Sequence, residues 1–363
     1  MTGSDAATLP GDATTRGRRR KKLRNQPGTP APAERPVAAA EEERGLRAGW
    51  RVIAAKEFSD HILSIRFLVL TIILGLAAAA AVYATAGAIR DLASDASGSP
   101  SLFLKLFTVS RGDIPAFTTF IAFLGPLLGI AFGFDAINGE RAEGTLPRLL
   151  SQPIHRDDVI NGKFVAGLSA IAVIFTAVTL VVTAVGILQL GILPEPEEIA
   201  RLLIWVVLAV TYVGLWLAIA LLCSVVLRRA ATSALVAIAV WLLVTLFATL
   251  VVGLIAGFIA PIPADAGQGS AEVLRNTALQ QELARLSPSQ LFEEATAAVL
   301  DPSIRTLSPG LVTAAQADRA IPSILSLGQS LLVIWPQFVA LIAATAVMFA
   351  LAYVSFMRQE VRA

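Results

Sequence analysis

One short charged segment carries the residues that are best suited to dock on another surface. It runs from Phe134 to Phe164 between two long apolar stretches and reads FDAINGERAEGTLPRLLSQPIHRDDVINGKF. Leu146, Leu149 and Leu150 are spaced so that they share one face of a helix of about two turns. Because an isolated helix of that length is not stable in water, its apolar face must pack on something. The rest of this chain and a separate protein both fit that requirement.

Polar residues border the leucine face on its N-terminal side. Glu140, Arg141 and Glu143 form an acidic and basic cluster, and Gly144 with Thr145 is typical of a helix start. The segment therefore predicts a short amphipathic helix with charged neighbours.

Enzymatic motifs are missing from the sequence. The GxxxxGK[ST] phosphate loop does not occur, because the Gly-Lys pair of Asn161–Phe164 lacks both the upstream glycine and a following Ser or Thr. HExxH and GxSxG are also absent. EERGLR at Glu42–Arg47 matches the EExxxR pattern of intramembrane prenyl-protein proteases, but it lies in a polar tail, and no histidine follows position 155. We expect no enzyme activity and no cofactor in this chain.

Metal and nucleic-acid binding are not expected either. Cys223 is the single cysteine, and His61 and His155 are too few to build a histidine site. The basic run Arg16–Arg24 is interpreted as a solvated charge cluster that helps to orient the chain. The sequence thus predicts neither a metal site nor a nucleic-acid partner.

The composition predicts an all-α membrane protein. Of the 363 residues, 55% are hydrophobic and only 15% are charged, whereas an ordinary soluble domain has roughly 25% charged residues. About 20 apolar residues cross a bilayer as a helix. Six stretches are long enough, and the predicted spans are 67–89, 114–134, 164–193, 202–227, 231–260 and 328–357.

Four further segments flank these spans. Residues 1–44 predict a disordered basic tail, and residues 45–66 predict an amphipathic helix with Lys56, Glu57 and Asp60 on its polar face. The loop 261–327 is expected to contain two amphipathic helices, and 358–363 form the C-terminus. The six spans and their loops would form one membrane domain, 67–357, whose partner is the lipid bilayer.

The distribution of basic residues predicts the orientation. With the N-terminus inside, 21 of the 29 Lys and Arg residues fall on the cytoplasmic side. Both termini and the charged segment are therefore expected in the cytoplasm, and the loop 261–327 outside. The predicted spans carry almost no charged residue, which argues against an ion-coupled carrier because coupling needs a titratable group in the membrane. The energy for any transport must then come from another protein.

The charged segment resembles the signature of ABC-2 type transporter permeases. The similarity includes Asp135, Ile137, the Glu140-Arg141 pair, Gly144-Thr145-Leu146, Leu149-Leu150-Ser151, Pro153-Ile154, Arg156 and Gly162-Lys163. The segment WRVIAAKEFSDHILSIRFLVL is similar to the N-terminal elbow helix of that family, and LSPSQLFEEATAAVL to an element before its last span.

This resemblance implies a half-transporter. Two permeases, identical or paralogous, would pair in the plasma membrane, each with a separate subunit that binds ATP and Mg²⁺, and export is the expected direction. The helix around 143–151 would be the coupling helix that docks on that subunit. Its implied contact residues are Glu140, Arg141, Glu143, Gly144, Thr145, Leu146, Arg148, Leu149, Leu150, Ser151, Pro153 and Arg156.

The resemblance also implies a substrate path along the interface between the two permeases, built partly from spans two and five. Its candidate residues are Thr118, Thr119, Gly125, Pro126, Thr245 and Thr249. Ordinary helix packing is an equal explanation for the glycines. The alternatives to a permease are a membrane scaffold, an intramembrane enzyme or an ion-coupled carrier. The polar residues of the spans are too generic to name a substrate.

Overall fold

The computed structural model describes residues 49–95, 101, 103–110, 115–145, 155–191, 193–263, 265–267, 269–302 and 325–359. The chain divides into two units, Met1–Gly45 and Leu46–Ala363, and all described residues belong to the second. The predicted tail 1–44 lies outside them. Within the described part of the chain the regular structure is entirely α-helical.

Twelve helices are present in the described residues. They are α1 (Gly49–Ile62), α2 (Ile65–Asp95), α3 (Lys105–Thr108), α4 (Phe117–Gly133), α5 (Asn138–Ala142), α6 (Arg156–Leu190), α7 (Pro196–Val226), α8 (Ala230–Leu246), α9 (Ala248–Ile259), α10 (Ala271–Ala284), α11 (Pro288–Leu300) and α12 (Leu327–Arg358). Five spans are long and apolar enough to cross a membrane, and the bent pair α8–α9 makes a sixth if it counts as one span.

Two of these helices begin earlier than their apolar stretches. α6 starts at Arg156 rather than 164, and α7 starts at Pro196 rather than 202. In each case an acidic side chain of the first turn accepts a hydrogen bond from the backbone N–H before the helix: Asp158 from His155 (3.2 Å) and Glu198 from Glu195 (2.8 Å). These bonds satisfy backbone donors that a helix start otherwise leaves open, so charged residues extend both helices beyond the apolar run.

The fifth span is broken rather than straight. α8 and α9 meet at Phe247 with a bend of 47°. The hydroxyl of Ser287 donates a hydrogen bond to the carbonyl oxygen of Val244 (3.4 Å), one turn before α9 begins. A side chain that inserts into the helix ladder is a common cause of a kink.

α7 is the centre of the packing and contacts α4, α6, α11 and α12. The α4–α7 contact depends on glycine, since a Cβ at Gly129 would lie 2.5 Å from the carbonyl oxygen of Val213. Gly125 makes the same kind of contact, with a Cβ position 2.9 Å from Val213 Cγ2. Small residues at this spacing let two membrane helices approach closely.

Candidate functional site

Lys163 is the centre of an ion-pair network that joins three helices. Its Nζ lies 3.0 Å from Glu57 Oε2 on α1 and 2.7 Å from Glu140 Oε1 on α5, and the Lys163 side chain is only 5% exposed. We call Glu57, Glu140 and Lys163 the junction cluster. One ammonium group between two carboxylates, shielded from solvent, makes a strong and mutually dependent contact.

The close approach of α1 to α6 brings the junction cluster together. A Cβ at Gly162 would lie 2.7 Å from Ile53 Cγ2 and 3.0 Å from the carbonyl oxygen of Trp50. A Cβ at Gly49 would lie 2.5 Å from Asp158 Oδ2. Any larger residue at Gly162 would push α1 away and separate Glu57 from Lys163.

The other charges of α1 are more exposed. Lys56 Nζ lies 3.0 Å from Glu57 Oε1 and 2.9 Å from Asp60 Oδ2, with the Lys56 side chain 63% exposed. At the start of α2, Arg66 Nη1 pairs with Asp135 Oδ2 at 2.6 Å. The predicted polar residues of α1 thus face the same side of the molecule as the charged segment, but only Glu57 enters the buried cluster.

α5 is fixed to the helices behind it. The backbone N–H groups of Ile137 and Asn138 donate to Ser224 Oγ on α7, at 2.9 and 3.1 Å. Arg141 donates to the carbonyl oxygen of Val225 (3.0 Å) and also bonds to the side chain of Gln359 beyond α12. Arg141 therefore uses its donors inside the chain, which the sequence did not predict.

Two further candidate residues of the segment lie at this end. Arg156 donates to the carbonyl oxygen of Gln359 at 3.3 Å. Gly144 has a φ of +69°, a left-handed conformation that favours glycine and ends α5. Gly144 thus ends α5, and the leucine helix that it is predicted to start lies outside the described residues. Glu143, Gly144 and Thr145 are exposed.

A cavity of about 540 Å³ opens beside the junction cluster. Charged residues of α1, α5 and α6 line it together with His61, Asp135, Glu143 and Thr145. The chain leaves the described residues after Thr145 and returns at His155. The remaining predicted contact residues, Leu146, Arg148, Leu149, Leu150, Ser151 and Pro153, lie outside the described residues.

Burial and neighbouring charges set the protonation of α1. Burial opposes ionisation of Glu57, but the ammonium groups of Lys163 and Lys56 outweigh it and hold the pKa of Glu57 below its ordinary value. Burial lowers the pKa of His61, whose ring contacts Phe132 at 5.0 Å between centroids. For Lys56, burial disfavours the charged form, yet hydrogen bonds to Asp60 and Glu57 dominate and raise its pKa. Near neutral pH the ion pairs are therefore intact and His61 is uncharged.

A different arrangement is found at the other end of α4, where α11 is held from both sides. The Tyr212 hydroxyl donates to the carbonyl oxygen of Ala122 (2.8 Å) and accepts from Ser289 (3.1 Å). The Tyr212 ring stacks on Phe292 with 4.5 Å between centroids. Arg201, 1% exposed, donates to the carbonyl oxygen of Val299 at 2.9 Å. These contacts fix the position and rotation of α11.

Two cavities lie on either side of α11, and Glu293 lines both of them. The first, of about 400 Å³, contains Thr118 and Thr119 from the start of α4. The second, of about 320 Å³, contains Thr245 and Thr249 from the broken span. We call this region the cavity end. It brings four of the six predicted path residues to one place.

The other two predicted path residues lie elsewhere. Gly125 and Pro126 are buried within α4, and Gly125 faces Val213 of α7. Packing of α4 on α7 explains Gly125 without a role in a path.

Several residues at these sites were not predicted from the sequence. The sequence places Lys163 only within the family signature and Arg201 just before the fourth predicted span, and it gives Glu293 no role. The dense alternation of acidic and basic residues in α1 and the charged segment could have indicated that Lys163 forms an ion pair. No sequence signal distinguished Glu293 from the adjacent Glu294. Across the described ranges, no group of three or more His, Cys, Asp or Glu side chains could hold a metal ion.

Comparison with known proteins identifies the family. Residues 51–361 match the sequence model of the family described as ABC-2 family transporter protein. The matched region runs from α1 to the end of α12. The chain belongs to the ABC-2 family. With several apolar helices of membrane-spanning length, this ABC-2 family member is a multi-pass membrane protein.

Two relatives share the name probable ABC transporter permease protein NosY. The one from Stutzerimonas stutzeri is 28% identical over 196 residues, which is 53% of this chain and 64% of the relative. The one from Pseudomonas aeruginosa is 35% identical over 91 residues, which is 25% of this chain and 32% of the relative. The matches thus cover less than two thirds of the relatives' own lengths.

Proposed function

We propose that this ABC-2 family member is the permease subunit of an ABC transporter that exports a substrate across the plasma membrane. A separate subunit would bind ATP and Mg²⁺ and supply the energy, and a second permease copy would complete the path. Both termini and the junction cluster would face the cytoplasm, as the distribution of basic residues indicates.

The observation that carries this proposal is the buried Lys163 between Glu57 and Glu140. The two carboxylates sit on α1 and α5, and the chain continues from α5 into the leucine segment within a few residues. A force applied to that segment would therefore reach α1 and α6 through a short, stiff set of contacts. Energy input from a docked ATPase requires such a connection.

The cavity end supports the transport part of the proposal. Thr118, Thr119, Thr245 and Thr249 line the cavities on both sides of α11, and α11 is held by hydrogen bonds at both ends. Binding sites are usually concave and carry a few placed polar groups on a fixed scaffold. We assign the substrate path to these cavities.

Association with an ATP-binding subunit tests the proposal. The permease would be co-expressed with ATP-binding subunits encoded in the same genome, then purified in detergent and reconstituted in liposomes. Replacing Leu146 and Leu149 by Asp should abolish co-purification and permease-dependent ATP hydrolysis, since each Asp places a charge on the apolar docking face. Membrane insertion and monodispersity should not change.

Leu286→Asp is the matched control, because Leu286 is 81% exposed and lies between α10 and α11. This variant should keep wild-type association. Wild-type affinity in the Leu146/Leu149 double variant would exclude the coupling-helix assignment. An ATPase rate that is the same with and without the permease would exclude the function itself.

A further inference from the structure

Glu293 is the one acidic residue that lines both cavities at the cavity end. Its neighbour Glu294 is paired: Arg285 Nε lies 3.1 Å from Glu294 Oε2, and Gln337 Nε2 donates to the same oxygen at 3.1 Å. By contrast, no Lys or Arg of the described residues forms an ion pair with Glu293. Two adjacent carboxylates thus have different surroundings, and only one is open to a ligand.

Thr296 provides a second, independent sign of a ligand site. It lies one turn after Glu293 on α11, lines the larger cavity and is 4% exposed. Its hydroxyl has no hydrogen-bond partner. Leaving a buried polar group without a partner is unfavourable. A polar ligand in the cavity would supply the missing bond.

The smaller cavity is rich in hydrogen-bond acceptors. Gln280 and Gln290 line it, and each uses its amide N–H inside the chain, toward Asn276 (2.7 Å) and Glu294 (3.3 Å) respectively. Their carbonyl oxygens accept no hydrogen bond from the described residues. Threonine and serine hydroxyls also line it, and Glu293 is its single charged group, whereas the larger cavity also contains Lys105 and Asp301. Such a surface suits a donor-rich cation.

The size of the cavities decides between a metal ion and an organic cation. They measure about 400 and 320 Å³, within the range of roughly 300–1,000 Å³ that is typical of small-molecule sites. A bare ion would leave most of that space empty, whereas an ammonium compound with a carbon skeleton would fill it.

We propose that the substrate is an organic ammonium compound whose charged nitrogen binds Glu293 and whose body occupies the flanking cavities. Thr296 contributes a hydrogen bond in the larger cavity. This proposal rests on the transport function proposed above and adds the class of substrate to it.

Binding of a fluorescent amine to the purified full-length chain tests the proposal. The probe is dansylcadaverine, a primary ammonium compound, and N-acetyl-dansylcadaverine is its neutral counterpart. Wild type should bind the charged probe at least about tenfold more tightly than the neutral one, as expected for a hydrogen-bonded charge pair. Glu293→Gln should remove that difference, and Glu272→Gln, at an exposed acidic residue of α10, should keep it.

Thr296→Val separates binding from folding. Removing an unpartnered buried hydroxyl should leave the melting temperature unchanged or raise it, yet weaken dansylcadaverine binding several-fold. Equal affinity for the two probes, no saturable binding of dansylcadaverine by wild type, or unchanged binding in Glu293→Gln would overturn the proposal.

The amine-binding experiment and the ATPase-association experiment can fail independently of each other. If ATPase association still depends on Leu146 and Leu149 while ammonium binding fails, only the substrate class is wrong. If ammonium binding succeeds and no ATP-binding subunit associates, the transport function is wrong and the chain is an amine-binding membrane protein.

Discussion

The two ends of α4 use charged residues in opposite ways. After its C-terminal end, Lys163 is enclosed by two carboxylates, and each of the three groups has an ion-pair partner within the chain. Near its N-terminal end, Glu293 lines two cavities and has no ion-pair partner among the described residues. Charges that satisfy one another hold helices together, while a charge left open can recognise something else. The first end therefore suits mechanical connection, and the second suits binding.

Removing the central charge should have the largest effect on this contrast. Lys163→Met leaves Glu140 without a counter-charge and Glu57 with only the exposed Lys56, and we expect a loss of stability of about 3 kcal/mol. Thermal unfolding in detergent, followed by intrinsic fluorescence, measures it. Lys56→Met is the matched control, because Lys56 is 63% exposed and its pairs should contribute less than about 1 kcal/mol. Equal losses in the two variants would show that burial of Lys163 is not what stabilises the junction cluster.

A change in backbone spacing should have a somewhat smaller effect. Gly162→Ala places a Cβ 2.7 Å from Ile53 Cγ2, so α1 must move away from α6, at a cost of about 1–3 kcal/mol. The same thermal unfolding assay reports it. Gly75→Ala on α2, where nothing lies within 4 Å, should be neutral or slightly stabilising. If Gly162→Ala melts at the wild-type temperature, close packing of α1 is not required.

Acidification should affect the two ends with opposite signs. The pKa of Glu57 is lowered in the folded protein, so its stabilising contribution is complete above the unfolded value of about 4.3 and is lost as the pH falls through the folded value. The pKa of His61 is also lowered, by burial, so protonation favours unfolding once the pH falls below about 6.5. Burial instead raises the pKa of Glu293, so its ionised form is disfavoured in the folded state and acidification relieves that penalty.

Melting temperatures between pH 7.5 and 4 test these signs. His61→Gln should reduce the loss of stability between about pH 6.5 and 5, and Glu57→Gln should reduce the loss below about pH 4.5. Glu293→Gln should steepen the overall loss slightly, since a small stabilising response to acid disappears. A flatter curve for Glu293→Gln would contradict the assigned environment of that carboxyl group.

The sequence predicts helices better than it predicts partners. Hydropathy predicts apolar segments at α2, α4, α6, α7 and α12, because crossing a bilayer requires long apolar runs. The helix starts at Arg156 and Pro196 differ from the predicted ones, since acidic capping residues extend those helices into polar sequence. The bend at Phe247 lies beside a hydrogen bond from Ser287, a residue distant in sequence, and the local sequence does not reveal that contact.

The functional residues illustrate the same limit. The charged segment and α1 were both recognised as sites of charge, yet nothing in the sequence pairs Lys163 with Glu57 rather than with a nearer acid. Glu293 and Glu294 are adjacent and identical in type, and only the rotation of α11 directs one to Arg285 and the other to the cavities. The sequence pattern therefore indicates which segments are charged, whereas tertiary packing determines the partner of each charged side chain.

α7 has a consequence for how the two ends communicate. Ser224 near its C-terminus holds α5, while Arg201 and Tyr212 toward its N-terminus hold α11. The distance from Ser224 to Arg201 along the helix is about 35 Å, at 1.5 Å per residue. α7 is a single uninterrupted helix that contacts both α5 and α11, so it can transmit a displacement along its length. A displacement of α5 would then arrive at Glu293 as a shift of its whole helix, with no chain of side-chain rearrangements in between.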